Sequence, residues 1–380
     1  MRLLFVIDSF GSGGAQRQMV QLALGLTDAG HQVEFFVYVT RHDHFRRVID
    51  GAGIIVHEHE KPSRYSVGVV PRLARVIRDG RFDLALAYLT TPSLYAEAAA
   101  WLNRVHGIRT PVVVSERGPL AHVNLKLRLA LGAHRLADHV VTNSRNNRDQ
   151  LLTLWPSLRR RSSVIYNGID LTLFAPDDAP HPAVPGRLDI LAIGTLLPSK
   201  DAMVLVEALA IHRERHGWAP TVSWVGKLAP NGGDAAYEQR VCARIDALGL
   251  GPSWIWMQER HDIVELLRSH DVLAHPSILE GLPNAVCEAL ACGLPVIAAR
   301  IGDNEALVEH GVTGYLHPPG DAAALGESIA AFASLGTERR AVMRTAARAF
   351  AVVTLSLERC VASYGRLFCD LVRDRTVASG

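Results

Sequence analysis

The chain has 380 residues, 48% hydrophobic and 21% charged, with a formal net charge of +2. This composition excludes a disordered polymer, and the length exceeds one ordinary core, so two domains are expected. Five irregularly spaced cysteines argue against a disulfide framework, and no apolar run approaches the roughly 20 residues of a membrane span, so the chain reads as cytoplasmic.

The first eight residues, MRLLFVID, hold an apolar run that ends at Asp8 without a small-residue cleavage site. They predict a buried first strand and not a secretory signal. Further strands are predicted at 33–38, 84–88, 111–115, 139–142 and 163–166. A helix over 15–29 places Met19, Leu22, Ala23 and Leu26 on one face, with Gly30 as its C-cap. Residues 175–185, APDDAPHPAVP, carry four prolines and form the best linker. A second series follows, with strands at 189–193, 221–225, 253–257, 272–274, 295–298 and 314–316. Its helices are predicted at 202–212, 234–248, 263–269, 284–291, 322–333 and 356–372. Alternation with near-continuous apolar strands predicts α/β architecture, two doubly wound Rossmann-like domains facing across a cleft. The expected boundaries are 1–174, a linker at 175–186, 187–355, and a last helix at 356–380 crossing back to the first domain.

Charge is unevenly spread. Residues 1–175 carry 22 Lys and Arg against 14 Asp and Glu, whereas residues 176–380 carry 18 against 24. A basic first half suits an anionic partner, and equally suits solvated arginines. Lys126, Arg128, His134 and Arg135 among leucines, with Arg145, Arg148 and Arg159 to Arg161, form a candidate basic face for peripheral membrane contact. No nucleic-acid partner is expected.

The chemistry concentrates after the strand at 272–274. A loop carrying Glu280 runs through Gly281, Leu282, Pro283 and Asn284 into a helix that holds Glu288 one turn in. Helix N-termini attract anions, and carboxylates accept hydroxyl hydrogen bonds. Taken alone, this pair of glutamates is more readily an ordinary acidic first turn. Ser115-Glu116-Arg117-Gly118 follows the strand at 111–115, where a Glu and an Arg are placed to contact an acceptor and phosphates or simply form an ion pair. His122 is a weaker candidate. The pairs His42/His44 and His57/His59 lack a further cluster to complete a metal site. Gly11-Ser-Gly13-Gly14 lacks a third spaced glycine, and its ribose-binding acid would have to be Glu34 in mid-strand.

The run from Arg260 through His275-Pro-Ser277, Glu280-Gly-Leu-Pro-Asn-Ala-Val-Cys-Glu288, Gly293-Leu-Pro, Gly302 and Glu305 to Gly314 resembles the family 4 glycosyltransferases. Gly13-Gly14-Ala-Gln-Arg17, Asn143-Ser144, Asn167-Gly168-Ile-Asp170 and Gly194-Thr195-Leu-Leu-Pro-Ser-Lys200 agree in order along the chain. The resemblance implies the GT-B fold and a retaining enzyme that uses a UDP- or GDP-sugar. The acceptor would be a glycan or lipid-linked molecule, in cell-surface polysaccharide or glycolipid synthesis, with the protein at the inner face of the membrane. By resemblance, Glu288 accepts from the ribose. Glu280 holds the donor sugar hydroxyls with the amides of Gly281 to Asn284 beside it, Lys200 pairs with the diphosphate, Gly13 and Gly14 let backbone approach the phosphates, and Arg260 lies near the base. Catalytic candidates are Glu280, Lys200, Glu116 and Arg117. Gly194, Thr195, Leu282 and Pro283 complete the expected donor-binding set. No Asp-x-Asp occurs, so no metal or other cofactor is expected. Thr195 departs from the family, which carries Arg there. A sugar-nucleotide epimerase of the same fold and a silent nucleotide-sugar-binding protein are the alternatives.

Overall fold

The computed structural model describes residues 1–61, 66, 68–120, 123–177 and 183–378. His122 and residues 178–182 of the linker stretch lie outside the described residues. The chain divides into two compact units, Met1–Gly168 with Leu357–Gly380, and Ile169–Ser356.

The first unit holds seven strands: β1 (Arg2–Ile7), β2 (Gln32–Val37), β3 (Ile55–Glu58), β4 (Leu84–Tyr88), β5 (Val112–Glu116), β6 (His139–Thr142) and β7 (Ser162–Val164). Their order is β3-β2-β1-β4-β5-β6-β7, and every pairing is parallel. The run Leu3 to Ile7 is buried on both faces because parallel strands need helices above and below. One face packs Leu4, Val6 and Ala85 against Leu73, Ile77 and Ala96. The other packs Leu3, Phe5 and Leu86 against Met19, Leu22 and Leu26 of the helix Gly14–Asp28. The helix Leu357–Ala378 joins that second face through Cys360, Tyr364 and Phe368, spaced four apart on one stripe. Gly25 lets these two helices meet: a Cβ there would press on the Val361 side chain.

The second unit holds β8 (Asp189–Ile193), β9 (Thr221–Val225), β10 (Trp254–Trp256), β11 (Val272–His275), β12 (Val296–Ala299) and β13 (Gly314–His317). Their order is β10-β9-β8-β11-β12-β13, again wholly parallel. Strand order reverses beside β8, so the carboxyl ends of β8 and β11 flank a switch point where open sheets bind ligands. The edge strand β3 and the helix Thr337–Thr354 add to the elements read from sequence. The division falls at Gly168, because Ile169 pairs with Ser356 and draws the following loop into the second unit.

Candidate functional site

Two loops leave the switch point of the second unit together. After β8, the Gly194 amide donates to the Val225 carbonyl and the Leu196 amide to the Lys227 carbonyl. The chain then makes a single 3-10 turn, Pro198–Lys200, and Asp201 caps the helix Ala202–His216 by accepting from the Val204 amide. After β11, the loop through Glu280 leads to the helix Asn284–Ala291. The Ile278 amide donates to the Ser199 carbonyl at 2.9 Å and ties one loop to the other. Lys200 and Glu280 then form an ion pair. His275, the last residue of β11, places Nε2 3.3 Å from the same carboxylate oxygen.

Burial pushes the Glu280 carboxyl up, but His275 and Lys200 outweigh it and hold the group at about 2. Glu280 is therefore a fixed anion across the physiological range. The first intrahelical bond of Asn284–Ala291 runs from the Cys287 amide to the Pro283 carbonyl, so the amides of Asn284, Ala285 and Val286 precede the ladder. Glu288 is buried one turn in. Gly281, Leu282 and Pro283 are buried beneath the loop, and Gly302 packs against the carbonyls of Glu280 and Gly281. Gly226 has φ +151°, and a Cβ there would collide with the Gly194 carbonyl. That carbonyl also accepts from the Trp224 indole at 3.0 Å. Thr195 lies in this loop, half-buried. Arg260 is exposed and paired with Asp262.

The first unit gathers a second set at the carboxyl ends of its strands. Asp8 follows β1 and accepts from the Ser9 amide at 2.8 Å and Gln16 Nε2 at 2.9 Å. Gly13 is the N-cap of the helix that begins at Gly14. Glu116 ends β5, buried, and accepts from Thr90 Oγ1 at 3.0 Å. Behind it, His134 sits between two carboxylates, with Nε2 3.0 Å from Glu116 and Nδ1 2.7 Å from Glu97. Burial lowers the His134 pKa, but the two acids raise it further, to about 10. Leu89 joins β4 to the helix Thr90–Val105 with φ +74°, a strained conformation for a branched side chain that costs roughly 1–3 kcal/mol. Arg117 turns away from Glu116. Its guanidinium lies 3.9 Å from the Tyr88 ring centroid and bonds to Asn167 and the Tyr364 hydroxyl. Glu34 is occupied by Arg2 and His57.

The model for glycosyl transferases group 1 matches residues 175–350, and that for glycosyltransferase family 4 matches residues 12–173. The chain belongs to this glycosyltransferase family. A D-inositol 3-phosphate glycosyltransferase of Mycobacterium sp. (strain KMS) is 31% identical over 248 residues, which cover 63% of this chain and 54% of that protein. The chain thus spans about half the length of that relative. The namesake of Mycolicibacterium gilvum is 26% identical over 96% of this chain and 87% of its own. The crystal structure of Anabaena Alr3699/HepE in complex with UDP and glucose superposes with a TM-score of 0.81 at 24% identity, covering 97% of this chain and 100% of that one. The two parallel sheets with flanking helices are those of the GT-B glycosyltransferases.

In this member of the family, Gly194, Thr195, Lys200, Glu280, Gly281, Leu282, Pro283, Asn284 and Glu288 gather at one end of the second sheet. Arg260 is exposed and paired with Asp262, and Gly13, Gly14 and Glu116 belong to the first unit. Arg117 is drawn into the buried cluster under the last helix and is not among the residues around the Glu116 cavity. His134, read from sequence as part of a basic face, is fully buried. The sequence reading missed His275, Lys227 and the Glu97–His134–Glu116 bridge. His275 was signalled by its place at a strand end beside the glutamate loop. Lys227 follows β9 next to the Gly194 loop and pairs with Glu259 at 3.5 Å.

Proposed function

We propose that the protein is a retaining hexosyltransferase that moves a sugar from a UDP- or GDP-sugar to a glycan or lipid-linked acceptor without a metal. The observation that carries this is the Lys200–Glu280–His275 constellation beside a helix N-terminus, in a unit that matches the model for glycosyl transferases group 1. Transfer breaks the bond between the sugar's anomeric carbon and the diphosphate, and negative charge develops on the departing oxygen. Preorganised donors aimed at that charge are the largest source of acceleration. Lys200 and the amides ahead of the 284–291 helix supply them, and the glycine at 194 keeps the backbone close. Glu280, permanently ionised, accepts from sugar hydroxyls. His275 donates to Glu280 through Nε2, which leaves Nδ1, buried and without a partner among the described residues, as a further acceptor. Glu288 takes the ribose hydroxyls. The solved relative's complexes with UDP and with UDP-glucose support a uridine donor.

The sequence has no Asp-x-Asp pair, which supports leaving-group stabilisation by protein cations. All five cysteines are unpaired, in keeping with a cytoplasmic setting. No helix among the described residues is long and apolar enough to cross a membrane. Peripheral contact is supported by the helix Leu125–Ala133, which exposes Leu125 and Leu129 beside Lys126 and Arg128.

Calorimetry with UDP and GDP in EDTA tests the donor site. Wild type binds one of the two, and Lys200→Ala weakens it by about tenfold to a hundredfold, the worth of one charge-assisted bond. Failure of both nucleotides to bind, with the protein folded, contradicts the proposal.

A further inference from the structure

A cavity of about 440 Å³ opens in the first unit at the carboxyl ends of β1, β2, β4 and β5. Asp8, Tyr38, Lys61, Thr90 and Glu116 line it, with the strained Leu89 at its wall. Three observations say that it is built to hold something. Tyr38 is 1% exposed, and its hydroxyl has no hydrogen-bond partner among the described residues. A buried hydroxyl left unpaired is destabilising, so a ligand atom that bonds to it is favoured. Burial and the nearby Asp8 carboxylate raise the Tyr38 pKa, so the phenol stays protonated and is a donor. Glu116 is held from behind by an imidazole whose second nitrogen is itself spent on Glu97. Among the described residues each oxygen of Glu116 has one bond, and a carboxylate oxygen can accept a second.

Both His134 nitrogens face carboxylate oxygens, so both donate and the ring is an imidazolium. One cation between two carboxylates leaves a net negative charge at the cavity floor. Asp8 adds a further carboxylate to the lining. Among the described lining residues, Lys61 is the sole cation, and its ammonium is stationed 4.9 Å from the Tyr38 ring centroid. Such a surface offers strong acceptors and a phenolic donor, which match hydroxyls that both give and take hydrogen bonds. It repels a phosphate.

We infer that this cavity binds the acceptor through an uncharged, hydroxyl-rich group, a sugar ring or polyol, whose reacting hydroxyl bonds to Glu116, and that His134 is the positioning residue for Glu116. This rests on the glycosyltransferase reading for the word acceptor, but the binding does not. The assignment differs from what the names of the curated relatives imply, since those act on an inositol phosphate.

The pH behaviour separates positioning from mere packing. The charged groups facing His134 are Glu97 from the helix Thr90–Val105 and Glu116 from β5. Arg104 on the same helix is turned to Asp138 and the Leu136 carbonyl. With its pKa raised to about 10, His134 keeps its proton at every pH below that value, and the bridge loosens only as pH rises through it. A His134→Gln side chain carries no charge, so as pH falls the two carboxylates share a proton and one loses its acceptor strength.

The test is ligand-observed NMR on the full chain without donor. The probes are myo-inositol, methyl glucoside and methyl galactoside, with inositol 3-phosphate and glucose 6-phosphate as their charged counterparts. At least one uncharged probe binds, and its phosphate binds at least tenfold more weakly. Glu116→Gln and Tyr38→Phe each weaken it by about tenfold. Wild-type affinity stays flat from pH 6 to 9, whereas His134→Gln loses affinity toward pH 6. Nucleotide binding to each variant, read by calorimetry, reports whether the rest of the molecule is intact. Preferred binding of the phosphates, no binding of any probe, or affinity unmoved by Glu116→Gln overturns the inference, and none of these outcomes depends on sugar transfer.

Discussion

At the residue scale, the account turns on how few charges are spread over a demanding step. Glu280 is legible in the sequence because the run from Arg260 to Gly314 around it resembles the family, the helix start alone being weak evidence. Its ion pair with Lys200 is not, since the two are brought together only by the tie between Ile278 and Ser199. The Glu97–His134–Glu116 bridge is wholly tertiary: three residues on three elements, buried at the core of the first unit. From sequence, His134 had only its basic neighbours and was grouped with them. Thr195 is the position where chemistry and family pattern part. A hydroxyl there cannot supply the charge of a guanidinium, so under the proposed function Lys200 holds the diphosphate with less help. Restoring the charge has a predicted direction. Thr195→Arg raises the rate of nucleoside diphosphate release by roughly tenfold to a hundredfold, the effect of one added charge-assisted bond. Stopped-time assays at saturating donor check it, and an unchanged or lower rate means that another cation already does that work, with Lys227, whose carbonyl accepts from the Leu196 amide, as a candidate.

At the element scale, the strands were readable because parallel strands buried on both faces are nearly continuous apolar runs. The edge strand β3 was not, since Ile55–Glu58 pairs with one neighbour only and carries His57 and Glu58. Its His57 places Nε2 2.6 Å from the Glu34 carboxylate. The glycine at 226 belongs to this scale too: its φ lets the end of β9 pass against the Gly194 loop, and no side chain would fit there. The helix Leu125–Ala133 shows what a hydrophobic pattern conceals. Leu131 faces the core, whereas Leu125 and Leu129 are 72% and 65% exposed, next to Lys126 and Arg128. Exposed leucines flanked by cations suit the interface of an anionic bilayer. The protein is expected to co-sediment with anionic vesicles at low salt, and Leu125→Ser with Leu129→Ser to reduce the bound fraction several-fold. Equal binding by wild type and the double variant, or none by wild type, removes this helix as a membrane contact.

At the scale of the whole molecule, alternation of strands and helices with a proline-rich stretch pointed to two doubly wound units, and the chain is built that way. The division at Gly168 was beyond the sequence. It depends on the pairing of Ile169 with Ser356, two residues far apart in the chain. The place of the last helix in the first unit rests on a buried stripe of Cys360, Tyr364 and Phe368, of which Phe368 is worth about 1.5–3 kcal/mol. The second unit carries the constellation on which the proposed function rests. The most direct test of that claim is release of nucleoside diphosphate from a panel of UDP- and GDP-sugars, in EDTA, with and without glycan and lipid-linked acceptors. The account predicts acceptor-dependent release from one donor, lost in both Glu280→Ala and Lys200→Ala. Release that survives both substitutions, or no release from any donor by folded wild-type protein, would contradict it.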